Sequence, residues 1–219
     1  MKNILFLFAT PLFISIAQGQ TNPPNVKIGT QTWMVKNLDI DHYRNGDPIP
    51  EVKDPAEWSK LTTGGWCYYE NDPANGKIYG KLYNWYAVND PRGLVPKGWH
   101  VASDAEWAVL ITYLGGDSVA GGKMKETGTA HWKSPNTRAT NISGFTGLPG
   151  GIRVGDTGPF YNVAYSGVWW SSSEGSTTNA WDRNLFYLNG KLDRCYFNSC
   201  IVGNGDDKLC GFSVRCLRD

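Results

Sequence analysis

Between residues 128 and 180 the chain is rich in Gly, Ser, Thr, Asn and Trp and shows little hydrophobic periodicity. This long, weakly patterned stretch constrains the fold more than any other feature of the sequence. It predicts a long loop region around short strands, and irregular segments of such length in a compact domain are usually functional or ligand-facing. The 219 residues suffice for one domain with a real core.

Elsewhere the local signals are clearer. Residues 26–38 alternate as two short strands around a Gly29-Thr30 turn. Pro55-Ala56-Glu57-Trp58 reads as one helical turn and residues 66–69 as a short buried strand. Tyr79, Leu82, Tyr83 and Tyr86 fall at helical spacing, which predicts a helix over 79–88. The clearest helix starts at Ser103, which forms a capping box with Glu106. Trp107, Leu110, Ile111 and Leu114 then make one apolar stripe, and Gly115 supplies the left-handed stop. A shorter helix is expected over 119–125, weakened by Gly121-Gly122. Residues 181–188 and 191–197 flank Asn189-Gly190, the signal of a type I′ hairpin. Phe212, Val214 and Cys216 alternate as a closing strand with one inward face. One α+β domain is the simplest parsing.

Lys2, an apolar run over 4–16 and Ala17-Gln18-Gly19 read as a signal peptide over residues 1–19, with Gln20 the first mature residue. Residues 20–25 form a polar lead-in and 26–219 the domain. The leading apolar run is short for a membrane span, and no transmembrane segment is expected in the mature chain. Secretion or display on the cell surface is therefore the expected location. There are 21 Lys+Arg against 20 Asp+Glu, and that balance argues against a nucleic-acid binder. Export favours oxidised cysteines. Five are present, Cys67, Cys195, Cys200, Cys210 and Cys216, so at least one has no partner within the chain. Bridges from Cys67 to Cys216, from Cys195 to Cys200 and from Cys200 to Cys210 all remain open.

Chemistry-bearing motifs are sparse. No two of His42, His100 and His131 stand at metal-ligand spacing. No nucleophile elbow, phosphate loop or dinucleotide fingerprint occurs. The segment 41–52 fails as a calcium loop because Tyr43 and Val52 stand where oxygen ligands belong. Asn204-Gly205-Asp206-Asp207 reads as a solvated turn rather than a cation site. Trp33, Trp66, Trp99 and Trp107 lie in regular patterns and are expected in the core. Trp132, Tyr161, Tyr165, Trp169 and Trp170 lie in the irregular region, where a ring with a polar tip suits stacking on sugars or peptide side chains.

Specific blocks resemble the Fibrobacter succinogenes major paralogous domain. They include Tyr43-Arg44-Asn45-Gly46-Asp47-Pro48, Gly80-Lys81-Leu82-Tyr83-Asn84-Trp85 and Pro96-Lys97-Gly98-Trp99-His100. Leu148-Pro149-Gly150-Gly151, Trp169-Trp170-Ser171-Ser172 and Gly211-Phe212-Ser213-Val214-Arg215-Cys216 continue the likeness, which covers nearly all of the chain from Val26. The resemblance implies a secreted or surface domain of Bacteroidetes-like bacteria with no established activity. The Gly-Trp block, capped helix and closing strand also look like a C-type lectin-like fold, with two main helices, a small twisted antiparallel sheet and a long loop region. In that fold calcium-dependent sugar binding uses Glu-Pro-Asn or Gln-Pro-Asp; Ser134-Pro135-Asn136 is the nearest string here. Ser103-Asp104-Ala105-Glu106-Trp107 is similar to the helix start of formylglycine-generating enzymes, copper-dependent thiol oxidases whose reactive cysteines have the spacing of Cys195 and Cys200.

The expectation is a non-catalytic binding or adhesion domain that recognises a glycan or surface protein and carries no cofactor. Its aromatic contacts are Trp132, Tyr161, Tyr165 and Trp170, with Asp156, Asn162 and Asn179 as polar partners. The alternatives are a thiol oxidase holding copper at Cys195 and Cys200, and a structural component of a surface assembly.

Overall fold

The structure, a computed structural model, describes residues 23–196 and 204–219. The signal-peptide reading, the Gln20 start and Cys200 lie outside the described residues. Two short strands open the fold as expected: β1 (Asn25–Ile28) pairs antiparallel with β2 (Gln31–Met34). Gly29 takes φ 62° at the turn, a conformation that costs a glycine nothing. Beside β2 lies β12 (Cys216–Arg218) and then β5 (Trp99–Val101), completing a four-stranded antiparallel sheet. The chain's end is thus stitched to its beginning.

The larger sheet runs in the order β10 (Leu192–Asp193), β9 (Asn179–Phe186), β8 (Ser166–Glu174), β6 (Gly150–Arg153) and β7 (Phe160–Val163). The short β11 (Asp206–Asp207) also pairs with β9. A third sheet holds only β3 (Trp66–Cys67) and β4 (Leu82–Tyr83). Helices are short: α1 (Pro55–Trp58), α2 (Pro73–Tyr79), α3 (Trp85–Val88), α4 (Asp104–Tyr113) and α5 (Asp117–Met124).

This corrects the expected α+β, C-type lectin-like architecture of two main helices around one small sheet. Among the described residues, twelve strands in three sheets dominate and helix makes up only about 19%. The physical reason lies in the weakly patterned stretch. Side chains alternate across β8, sending Val168 and Trp170 into one apolar core and Trp169 into the other. A strand buried on both faces loses the apolar–polar alternation by which a strand is read. Small residues complete the disguise. A Cβ on Gly167 would stand 2.5 Å from the Leu148 carbonyl oxygen, so close packing demands glycine where a strand former is expected.

Two other local expectations change. The helix over 79–88 is broken by Gly80 at φ 75°, giving α2, β4 and then α3, which Asn84 caps by accepting the Ala87 amide. The hairpin at Asn189-Gly190 exists, since Leu192 pairs with Leu185, but residues 187–191 connect it and neither Asn189 nor Gly190 has a positive φ. The Ser103–Glu106 capping box on α4 is present in both directions, and Trp107, Leu110 and Ile111 are buried as the stripe predicts.

Buried cations brace the structure. Arg153, Arg215 and Lys125 are buried without a carboxylate partner among the described residues. Arg215 donates through Nη1 to the carbonyls of Met34 (2.9 Å) and Phe145 (2.7 Å), and through Nε and Nη2 to Asn37 Oδ1. Asn37 Oδ1 also accepts from Trp169 Nε1, while its amide donates to Tyr79 O and Ser213 Oγ. Arg153 serves the carbonyls of Val52, Lys53 and Gly158 and stacks on Trp58. Lys125 Nζ serves those of Thr137, Phe186 and Asn189. Each cation ties together main-chain carbonyls from loops and strand ends, a role that repays part of its desolvation.

Candidate functional site

The structure separates the residues expected to touch ligand into three groups. Trp132 and Trp170 are core side chains, fully buried, with their indole N–H groups donating to Gly147 O and Tyr83 O. This corrects their assignment to a ligand face: Trp170 points inward from a strand buried on both sides, and Trp132 packs into the other core with Trp169 and Leu185. Asn179 opens β9, opposite Asp207, its side-chain amide donating to Gly205 O and its side-chain oxygen accepting from the Thr178 hydroxyl. Asp156 is exposed in the loop joining β6 to β7, bonded to Thr157.

Tyr161, Asn162 and Tyr165 remain together and outward. Tyr161 and Asn162 lie on β7, the outermost strand of the larger sheet, and Tyr165 follows immediately. Tyr161 is 52% exposed and Tyr165 37%. Their backbone is fixed: Ile152 pairs with Tyr161, Ala164 N donates to Pro149 O, and Tyr165 N donates to Asn162 O. Asn162 and Ala164 take φ 65° and 69°, which turns the chain sharply after the strand. The Tyr165 ring meets Tyr187 edge-on at 5.2 Å, and Tyr187 in turn meets Phe186 at 4.8 Å. The Asn162 amide donates to the Tyr196 hydroxyl. A short ring-lined edge results, with Asn162 as its polar member.

Sequence reasoning missed the concave surface. Residues 36–44, shortly after β2, line two adjoining clefts of ≈ 280 and ≈ 530 Å³ that share Asp39, Ile40, Pro96 and Lys97. Asp39 is paired with Lys81 and Asp41 with His42. The walls contributed by Met34, Leu38 and Trp99 are buried core side chains. The clue available in sequence was Pro96-Lys97-Gly98-Trp99, one of the blocks that carries the family resemblance.

The cysteines do not form the longer bridges held open above. Cys67, Cys210 and Cys216 are free and buried. Burial pushes Cys67 and Cys216 up to about 12, which keeps them as unreactive thiols. Cys195 is disulfide-bonded, which leaves the Cys195–Cys200 pairing an expectation because Cys200 lies outside the described residues. A copper thiolate pair would need both sulfurs reduced. Asn136, in the string nearest a lectin motif, donates its amide to the carbonyls of Glu126 and Gly128. Asp206 is buried in β11, contrary to the solvated turn expected there. Among the described residues no helix is long and apolar enough to cross a membrane.

Three sheets around two main cores, braced by buried cations and edged by exposed tyrosines, define a β-rich domain. The chain belongs to the Fibrobacter succinogenes major domain family, whose pattern matches residues 26–218. No curated protein and no solved structure matches it, so the likeness to formylglycine-generating enzymes has no further support.

Proposed function

We propose that this domain is a secreted or surface-exposed binding and adhesion module that takes a glycan or a surface protein on the β7 edge. The observation that carries the reading is the pair Tyr161 and Tyr165, half-exposed rings on a hairpin held by main-chain hydrogen bonds. A tyrosine presents a flat apolar face and a hydroxyl while losing little side-chain freedom on contact. Asn162 beside them supplies an amide to orient a polar ligand. The neutral charge balance fits a ligand recognised by shape and stacking rather than by long-range attraction. A glycan array and a cell-wall pull-down with the wild type and with Tyr161→Ala plus Tyr165→Ala test the reading. The expected result is loss of binding in a variant that melts as the wild type does. Unchanged binding removes this edge as the site.

A further inference from the structure

Asp182 on β9 is 0% exposed, and among the described residues no N–H or O–H group donates to either of its carboxyl oxygens. Such an acceptor buried unpaired is costly, and an ionised one far more so. Its neighbour across the sheet is a second acid. β11 sets Asp206 opposite Ala180, and Asp182 lies two residues further along the same face of β9, a diagonal cross-strand pair. Asp206 is also buried, and its Oδ2 accepts from the Tyr196 amide at 3.0 Å.

Among the described residues no cation forms an ion pair with Asp182, although the adjacent Arg183 charge favours its ionised form. Arg183, next on β9, spends Nη1 on the Asp182 main-chain carbonyl and Nη2 on Asp104. Asn184 gives its amide to Cys195 O. Trp170 is the partner across β8, and the buried Cys210 thiol stays neutral. Asp207 adds a further carboxylate, which accepts the Leu209 amide. Two carboxyl groups so placed cannot both ionise.

We propose that Asp182 and Asp206 form a proton-binding site, in which Asp182 keeps its proton and donates it to Asp206, and that this proton holds β11 against β9. Burial first, and then the Asp206 carboxylate, raise Asp182 well above the ordinary carboxylate range. The consequence extends along the chain. β11 leads into Lys208, which is buried over Trp85 and paired with Glu174, so loss of the proton weakens the seat of that segment too.

The sign of the pH dependence follows from the raised folded pKa. Above about pH 4 the unfolded chain has released the Asp182 proton while the folded chain retains it. The stability contributed by this group therefore falls as pH rises, until the folded site itself ionises. Asp182→Asn keeps a donor facing Asp206 and removes the titration. Urea unfolding across pH 4–9 is expected to show the wild-type unfolding constant rising relative to the variant's by up to about tenfold per pH unit. Parallel curves would overturn the proposal. Selective stabilisation of the wild type by millimolar calcium, absent in Asp182→Asn, would do so as well, because a cation would then occupy the site. If the variant fails to fold, carbon-13 titration of the wild-type Asp182 carboxyl decides. A neutral signal persisting through pH 7 supports the site, and full ionisation by pH 5 refutes it.

Discussion

Arg215→Met removes a guanidinium that cross-links the start, middle and end of the described chain. Met fills most of the volume but donates nothing. The wild-type side chain makes four hydrogen bonds, to Met34 O, Phe145 O and twice to Asn37 Oδ1. Charge-assisted bonds contribute about 1.5–3 kcal/mol each. Against that gain stands several kcal/mol of guanidinium desolvation, which the variant recovers. After the substitution Asn37 Oδ1 still holds Trp169 Nε1, but the two main-chain carbonyls lose this donor. The balance is a loss of about 2–4 kcal/mol, taking the lower part of the gross range because the bonds share acceptors. With a urea slope of about 2 kcal/mol/M this shifts the unfolding midpoint down by about 1–2 M. Replacing the exposed Arg218 by Met in parallel controls for loss of charge. Equal midpoints for wild type and Arg215→Met would refute the reasoning, since they would show the brace to be no better than an apolar filler.

Gly121→Ala is expected to destabilise although alanine is the better helix former, because its Cβ would stand 1.9 Å from the Lys191 carbonyl oxygen; thermal melting checks the direction. His100 bridges Asp219 and Glu106. Burial opposes its charge, but hydrogen bonds to both carboxylates outweigh this and raise its pKa above 6.5. Its stabilising contribution is therefore complete below pH 6.5 and lost as pH rises through the raised folded value, and His100→Gln flattens that part of a melting-against-pH curve. Alkylation of the folded protein is expected to spare Cys67, Cys210 and Cys216, whose labelling appears only on unfolding, as counted by mass spectrometry.

Elements whose pattern and punctuation agree were legible from the chain. Ser103 and Glu106 announced α4, Gly29 the first hairpin, and Pro55-Ala56-Glu57-Trp58 the single turn of α1. What escaped was the larger sheet beyond its β9–β10 hairpin, because burial on both faces erased the period in β8 and tight packing replaced strand formers with glycine and serine. The same cause misplaced the site. In a two-sided strand Trp169 and Trp170 both become core, and only distance from the sheet's centre separates them from Tyr161 and Tyr165 on its edge. The buried braces were also invisible. Nothing local to Arg215 shows that its partners lie around residues 34–37 and 145.

The central claim is that this scaffold presents its ligand surface at the tyrosine edge of β7. It is tested most directly by mapping amide and ring chemical shifts as a glycan or wall fragment captured by the wild-type domain is titrated in. Perturbation concentrated at residues 160–166 and 186–188 is the predicted result. Perturbation concentrated instead at residues 36–44 and 94–99, with Tyr161 and Tyr165 unmoved, would contradict it.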